Sequence, residues 1–148
     1  MIEVRFSVRP GQGGPSVFDL GDIVCEGESG PVRSADRGLM VYLSVALLLD
    51  DLGPLLFGKR PNLSFTGVDT SVRIDFERAG KGFVSVSSRG VPVGRARVED
   101  LARTFLRAAE ELAEQGLSSL PAGDASWSDY FTAVRRFRAA METGVAGA

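Results

Sequence analysis

Two aspartates, Asp50 and Asp51, fall near the end of the apolar run GLMVYLSVALLLDDLGP at residues 38 to 54, and Asp69, Asp75 and Glu77 follow within a short stretch. Carboxylates can act as general acids and bases or hold Mg²⁺ or Ca²⁺. The chain of 148 residues contains no histidine. That removes Ser-His-Asp and Cys-His nucleophiles, histidine bases and the usual histidine-containing zinc sites. Carboxylate, lysine, tyrosine or serine-lysine chemistry is what remains for an enzyme, and no motif for any of these is present. The reading is a non-catalytic chain with no cofactor and no metal, and a carboxylate- or metal-dependent enzyme around Asp50, Asp51, Asp69 or Asp75 is the lesser alternative.

Each acidic group has a plainer explanation beside the chemical one. Asp75 and Glu77 share the polar face of a strand with Arg73, which describes a solvated sheet face of mixed charge. Asp50 and Asp51 precede Gly53 and Pro54, a glycine suited to a left-handed cap and a proline unable to continue a helix, so they are expected in the last helical turn. There the macrodipole is negative and disfavours an exposed carboxylate by about 0.3–1 kcal/mol. They are either solvated and neutralised by Lys59 or Arg60, or they form an acidic spot for a basic partner. The apolar Leu55, Leu56 and Phe57 come next, in what reads as a connector. With Asp50 and Asp51 they make the candidate partner-binding surface. The glycines of Gly11-Gln12-Gly13-Gly14 lack a following Gly-Lys-Ser/Thr and do not open a helix, so they read as a flexible turn and not a phosphate loop.

The elements that must position these residues follow from periodicity. Ile2, Val4, Phe6 and Val8 alternate with charged and polar residues, the period of a half-buried strand. Val17 to Cys25 reads as a second strand with a bulge at Gly21-Asp22. Ser34 stands where an N-cap is wanted, ahead of a helix running through Leu39 to Leu49. Only 12 residues between Arg37 and Asp50 lack a charge, whereas a bilayer takes about 20, so this helix is no membrane span. A helix apolar nearly all round belongs at the centre of a fold. Val72, Ile74 and Phe76, then residues 83 to 87, then Val91 to Val93 read as a three-stranded meander turning at Ala79–Gly82 and at Arg89-Gly90, with Pro92 placing the last strand at an edge. Glu99 and Asp100 open a second helix in which Leu101, Phe105, Ala108 and Leu112 oppose Arg103, Arg107, Glu110, Glu111 and Glu114, ending at Gly116 with Leu117 as its hydrophobic cap contact. Ser126 reads as the cap of a third helix whose stripe is Trp127, Tyr130, Val134, Phe137 and Met141; Arg135, Arg136 and Arg138 are expected in its last turns.

Together these give one α+β domain over residues 1–142, with residues 143–148 as a frayed tail. Its order is ββαβββαα, an antiparallel sheet of about five strands with three helices mainly on one face. A pocket between sheet and helices, lined by Tyr42, Trp127 and Tyr130, is the alternative site, for a small ligand.

Composition narrows the setting. The formal net charge is −2, and residues 62 to 98 carry six cations against three acids. No aromatic residues alternate with those arginines on the exposed side, so nucleic acid is not the expected partner. The N-terminus MIEVRFSVRP lacks a signal-peptide hydrophobic region and Cys25 is the single cysteine, so a cytoplasmic setting is expected. The stretch GVDTSVRIDFERAGKGFVSVSSRGVPVGRARVEDLARTFLRAAEELAEQG resembles, in its strand-turn-strand-strand-helix rhythm, small actinobacterial immunity-like proteins of polymorphic toxin systems. The resemblance covers about residues 62 to 116 and carries no binding residue with it. It implies a cytoplasmic protein that works by occluding another protein.

Overall fold

The computed structural model describes residues 2–9, 20–34, 38–67, 72–116 and 125–146, with side chains described for all of these except 115, 116, 125–127 and 144–146. The fold is α+β. Among the described residues there are eight strands and three helices: β1 Glu3–Val8, β2 Leu20–Gly27, β3 Gly30–Arg33, β4 Leu39–Met40, α1 Val41–Phe57, β5 Asn62–Thr66, β6 Arg73–Arg78, β7 Phe83–Ser88, β8 Val91–Arg97, α2 Val98–Gly116 and α3 Ala125–Ala146. The single sheet of about five strands expected from the sequence is in fact two antiparallel sheets of four strands each. β1, β2 and β3 form the first, with β4 pairing on β2, and β5-β6-β7-β8 form the second.

The additional strands are short or weakly marked. β3 carries a glycine and Pro31, and β4 is two residues long; β5 precedes the meander as NLSFT and buries only Leu63 and Phe65. The meander itself appears as expected, with β8 as the edge of its sheet. β8 bulges at Val93, where Val86 faces Gly94 and Ser87 faces Pro92. That edge is closed by the β2–β3 turn: Ser29 N–H donates to the Val93 carbonyl at 2.9 Å, and Gly27 lies so near that a Cβ there would stand 2.5 Å from the same oxygen. The two sheets therefore touch at a glycine-lined seam.

Gly21 and Asp22 make no bulge. β2 pairs regularly with β1 through both residues, Ser7 against Asp22 and Val8 against Gly21. Gly21 is small for another reason: a Cβ there would lie 2.1 Å from the Ser7 carbonyl oxygen and 2.7 Å from Val41 Cγ1. Residues 17 to 19 lie outside the described residues.

The first helix differs at both ends from its expected limits. Ser34 does not cap it; its hydroxyl donates to Asp22 Oδ1 at 2.9 Å and accepts from Ile23 N–H at 3.2 Å. Gly38, at φ +70°, turns the chain into β4, and α1 starts at Val41. At the far end α1 runs through Gly53 and Pro54 to Phe57. A proline inside a helix costs about 3 kcal/mol. Pro54 faces solvent, and continuing the helix buries Leu55 and Leu56 almost completely, worth about 1.5–3 kcal/mol each. Burial outweighs the lost hydrogen bond.

α1 is central, as its composition demands. It packs on α3, on α2 and on strands of both sheets, leaving a narrow solvent stripe of Leu47, Asp50, Asp51 and Pro54. α2 lies against β1 and α3. Its Phe105 is fully buried, with Phe6 of the first sheet at 6.1 Å and Phe76 of the second at 5.8 Å between ring centroids. α3 extends to Ala146, so most of the expected tail is helical and Arg135, Arg136 and Arg138 sit mid-helix. Leu117 and the Ser126 side chain lie outside the described residues. Among the described residues, no helix is long and apolar enough to cross a membrane.

Candidate functional site

Asp50, Asp51, Leu55, Leu56 and Phe57 do not form one contact surface. Leu55, Leu56 and Phe57 form the last turn of α1 and not a connector: the two leucines are buried, and Phe57 packs against Phe137 with centroids 5.6 Å apart. They offer no exposed contact loop, because the helix that carries them turns them inward. Asp50 and Asp51 are exposed mid-helix, clear of the negative helix end. Asp50 borders a groove of about 580 Å³ between α1 and α3, shared with Arg136 and Phe137. Partial burial raises its pKa, Arg136 lowers it, and Asp51 raises it. The cation that offsets this acidic spot is thus Arg136 from α3, and neither Lys59 nor Arg60. Arg60 instead donates to the Asn62 carbonyl.

Among the described residues, two of the walls of the alternative pocket meet each other directly. Tyr42 and Tyr130 are both buried and meet edge to face at 5.7 Å, and the Tyr130 hydroxyl donates to the Ala109 carbonyl at 2.5 Å. Burial drives the Tyr130 pKa upward, with Tyr42 and Glu110 adding to the effect. This is a neutral core hydroxyl joining α3 to α2. The Trp127 side chain lies outside the described residues. Asp75 is tied to Arg73 at 3.0 Å and to the Arg89 N–H at 3.1 Å; Asp69 lies outside the described residues. Among the described residues no group of three or more acidic or cysteine side chains could hold a metal ion.

A different concave surface stands out. Where the end of β8, the start of β1 and the first turns of α2 meet, a cleft of about 630 Å³ is lined by Ile2, Glu3, Phe83, Arg95, Ala96, Arg97, Asp100, Arg103, Thr104 and Arg107. Two local periods build it. In β8 the period of two puts Arg95 and Arg97 on one face, and Phe83 of β7 pairs directly opposite Arg97. Both guanidinium groups lie over the Phe83 ring, at 4.6 and 5.4 Å from its centroid, a cation–π arrangement that fixes their direction. In α2 the period of 3.6 places Asp100, Arg103, Thr104 and Arg107 along one side. β8 passes into α2 with no intervening residue, as Arg97 ends one and Val98 begins the other. Strand and helix therefore share the cleft.

Four arginines against Glu3 and Asp100 leave the cleft with two more cations than anions in a chain whose net charge is −2. Arg95 also donates to the Ala79 carbonyl at 3.3 Å. Among the described residues Arg97, Arg103 and Arg107 have no carboxylate within 4.0 Å, whereas Arg9, Arg73 and Arg138 each do. The cleft's cations are exposed. Its wall also contains Thr104, buried at 8% exposure, whose Oγ1 has no hydrogen-bond partner among the described residues.

In the sequence this constellation is divided between two elements, Arg95 and Arg97 on a strand and Arg103 and Arg107 on a helix face. The signal that joins them is the lack of any turn residue between Arg97 and Glu99, which makes the strand feed straight into the helix. Comparison with protein families, with curated proteins and with solved structures finds no match for this chain.

Proposed function

We propose that this protein is a non-catalytic protein-binding module, of the immunity or accessory kind that works by occluding a partner, and that its contact surface is the arginine-lined cleft. The observation that carries the reading is the set Arg97, Arg103 and Arg107 around a shared concavity, none with a carboxylate partner among the described residues. Guanidinium groups prefer planar oxyanions and bind them in a forked geometry. Phe83 and Ile2 add apolar surface in the same cleft. The partner is an acidic segment of another protein in the cytoplasm, and neither nucleic acid, membrane nor cofactor enters. The positive cleft on a negative chain guides such a segment to one place and speeds its arrival. The acidic pair on α1 is the weaker surface, since Arg136 shares the groove with Asp50 and acts on its charge through space.

Fluorescence anisotropy with a short fluorescein-labelled oligoglutamate peptide tests this, with oligoglutamine as control. The expected result is saturable binding of oligoglutamate that weakens with added salt and disappears in the double variant Arg103→Glu, Arg107→Glu. Equal binding of both peptides, or an unchanged affinity in the double variant, would sink the proposal.

A further inference from the structure

Thr104 is the one buried side-chain donor among the described residues that has no hydrogen-bond partner. A threonine inside a helix ordinarily bonds its hydroxyl to a carbonyl one turn earlier, which is why it is tolerated there. In α2 that bond to the preceding turn is not made. A buried unbonded hydroxyl is a standing cost to the fold, and such costs are found where a ligand is to be met. Its place in the molecule agrees: Thr104 lines the arginine cleft, directly after Arg103 and three residues before Arg107, so the three side chains lie along one side of the helix.

We infer that Thr104 is the selecting donor of the cleft, and that one carboxylate of the acidic partner segment accepts a hydrogen bond from its Oγ1 while Arg103 and Arg107 supply the charge. This inference rests on the reading of the cleft as the binding surface. The hydroxyl keeps its shielded position in the free protein and takes the second staggered position of a helical threonine only as the oxyanion arrives. Arg103 and Arg107, exposed in the cleft, govern how fast the segment arrives. The threonine, fixed in the wall, governs how long it stays.

Stopped-flow fluorescence with the labelled oligoglutamate peptide separates these roles in the full chain. Thr104→Val and, as a second removal of the hydroxyl, Thr104→Ala are expected to leave the association rate unchanged and to raise the dissociation rate about tenfold. Thr104→Ser is expected to bind as the unaltered protein does. Arg103→Gln with Arg107→Gln is expected to slow association chiefly. A thermal melt of each variant confirms that it is folded. Dissociation from Thr104→Val and Thr104→Ala at the original rate, with the arginine variant impaired, would overturn the role of Thr104 while leaving the cleft standing. No preference of the unaltered protein for oligoglutamate over oligoglutamine would overturn the cleft and this inference with it.

Discussion

Replacing Thr104 by valine should make the free protein more stable, which is the opposite of what this exchange usually does in a core. Threonine and valine have the same shape, but losing the hydroxyl ordinarily leaves a former partner unsatisfied, so the swap is not neutral. Here Oγ1 is shielded from solvent and unbonded among the described residues, so the substitution removes a desolvated polar atom without orphaning another. The penalty for such a group is about 1–3 kcal/mol. Both residues are branched at Cβ and have nearly equal helix propensity, so the helix itself contributes little to the difference. The expected gain is therefore about 1 kcal/mol or more, which in a chain of this size raises Tm by about 2–4 °C per kcal/mol. Urea unfolding followed by circular dichroism is the assay: the midpoint should move upward with the slope unchanged. Thr104→Ser, which keeps the hydroxyl and drops a buried methyl, should fall below the unaltered protein by about 1 kcal/mol. A lower midpoint for Thr104→Val would show that the hydroxyl is bonded in the native state, and the argument about an unsatisfied donor would collapse.

Three further outcomes follow from the same physical picture. Phe105→Ala, which empties the space between Phe6 and Phe76, should cost about 3–5 kcal/mol in urea unfolding; a loss below about 1 kcal/mol would mean that the two sheets do not share this ring. Along α1, Leu55→Ala should cost about 2–5 kcal/mol and Leu47→Ala, at 52% exposure, no more than about 0.5 kcal/mol, and equal costs would show that the helix does not continue past Pro54 as described. The forked bond of Arg9 to Asp22, at 2.9 and 3.0 Å and supported by the Ser34 hydroxyl, holds the Asp22 pKa below its ordinary value. A depressed folded pKa adds stability that is fully present above the unfolded value near 3.9 and is lost as pH falls through the folded one. Acid unfolding should accordingly be less steep below about pH 4 in Asp22→Asn than in the unaltered protein, and identical pH profiles would remove Asp22 from the linkage.

Gly53-Pro54 carries a strong local stop, and by helix rules alone α1 ends there. It does not, because the loss of one hydrogen bond at a solvent-facing proline is smaller than the burial of Leu55 and Leu56. The same displacement moved Asp50 and Asp51 from a helix end to mid-helix and removed the dipole argument made for them. Ser34 shows the converse: a good capping residue was taken instead by Asp22 of the neighbouring strand, a partner 12 positions away that no local pattern displays. Tyr42 and Tyr130 were legible as apolar positions on two helices, but whether they enclosed a pocket or met ring against ring depended on how α1 and α3 pack.

By itself the sequence determined the class of fold, the hairpin turns of the second sheet, the core faces of α2 and α3, and the central burial of α1, because each follows from hydrophobic periods of two or 3.6 within one segment. Its lack of histidine likewise limits the chemistry whatever the fold. Tertiary structure alone decided that the strands divide into two sheets, that Phe105 bridges them, and that Arg95, Arg97, Arg103 and Arg107 face one cleft with Thr104 in its wall. Those facts depend on how separate elements are oriented in space, and a one-dimensional pattern contains side-chain direction within an element but not the angle between two of them.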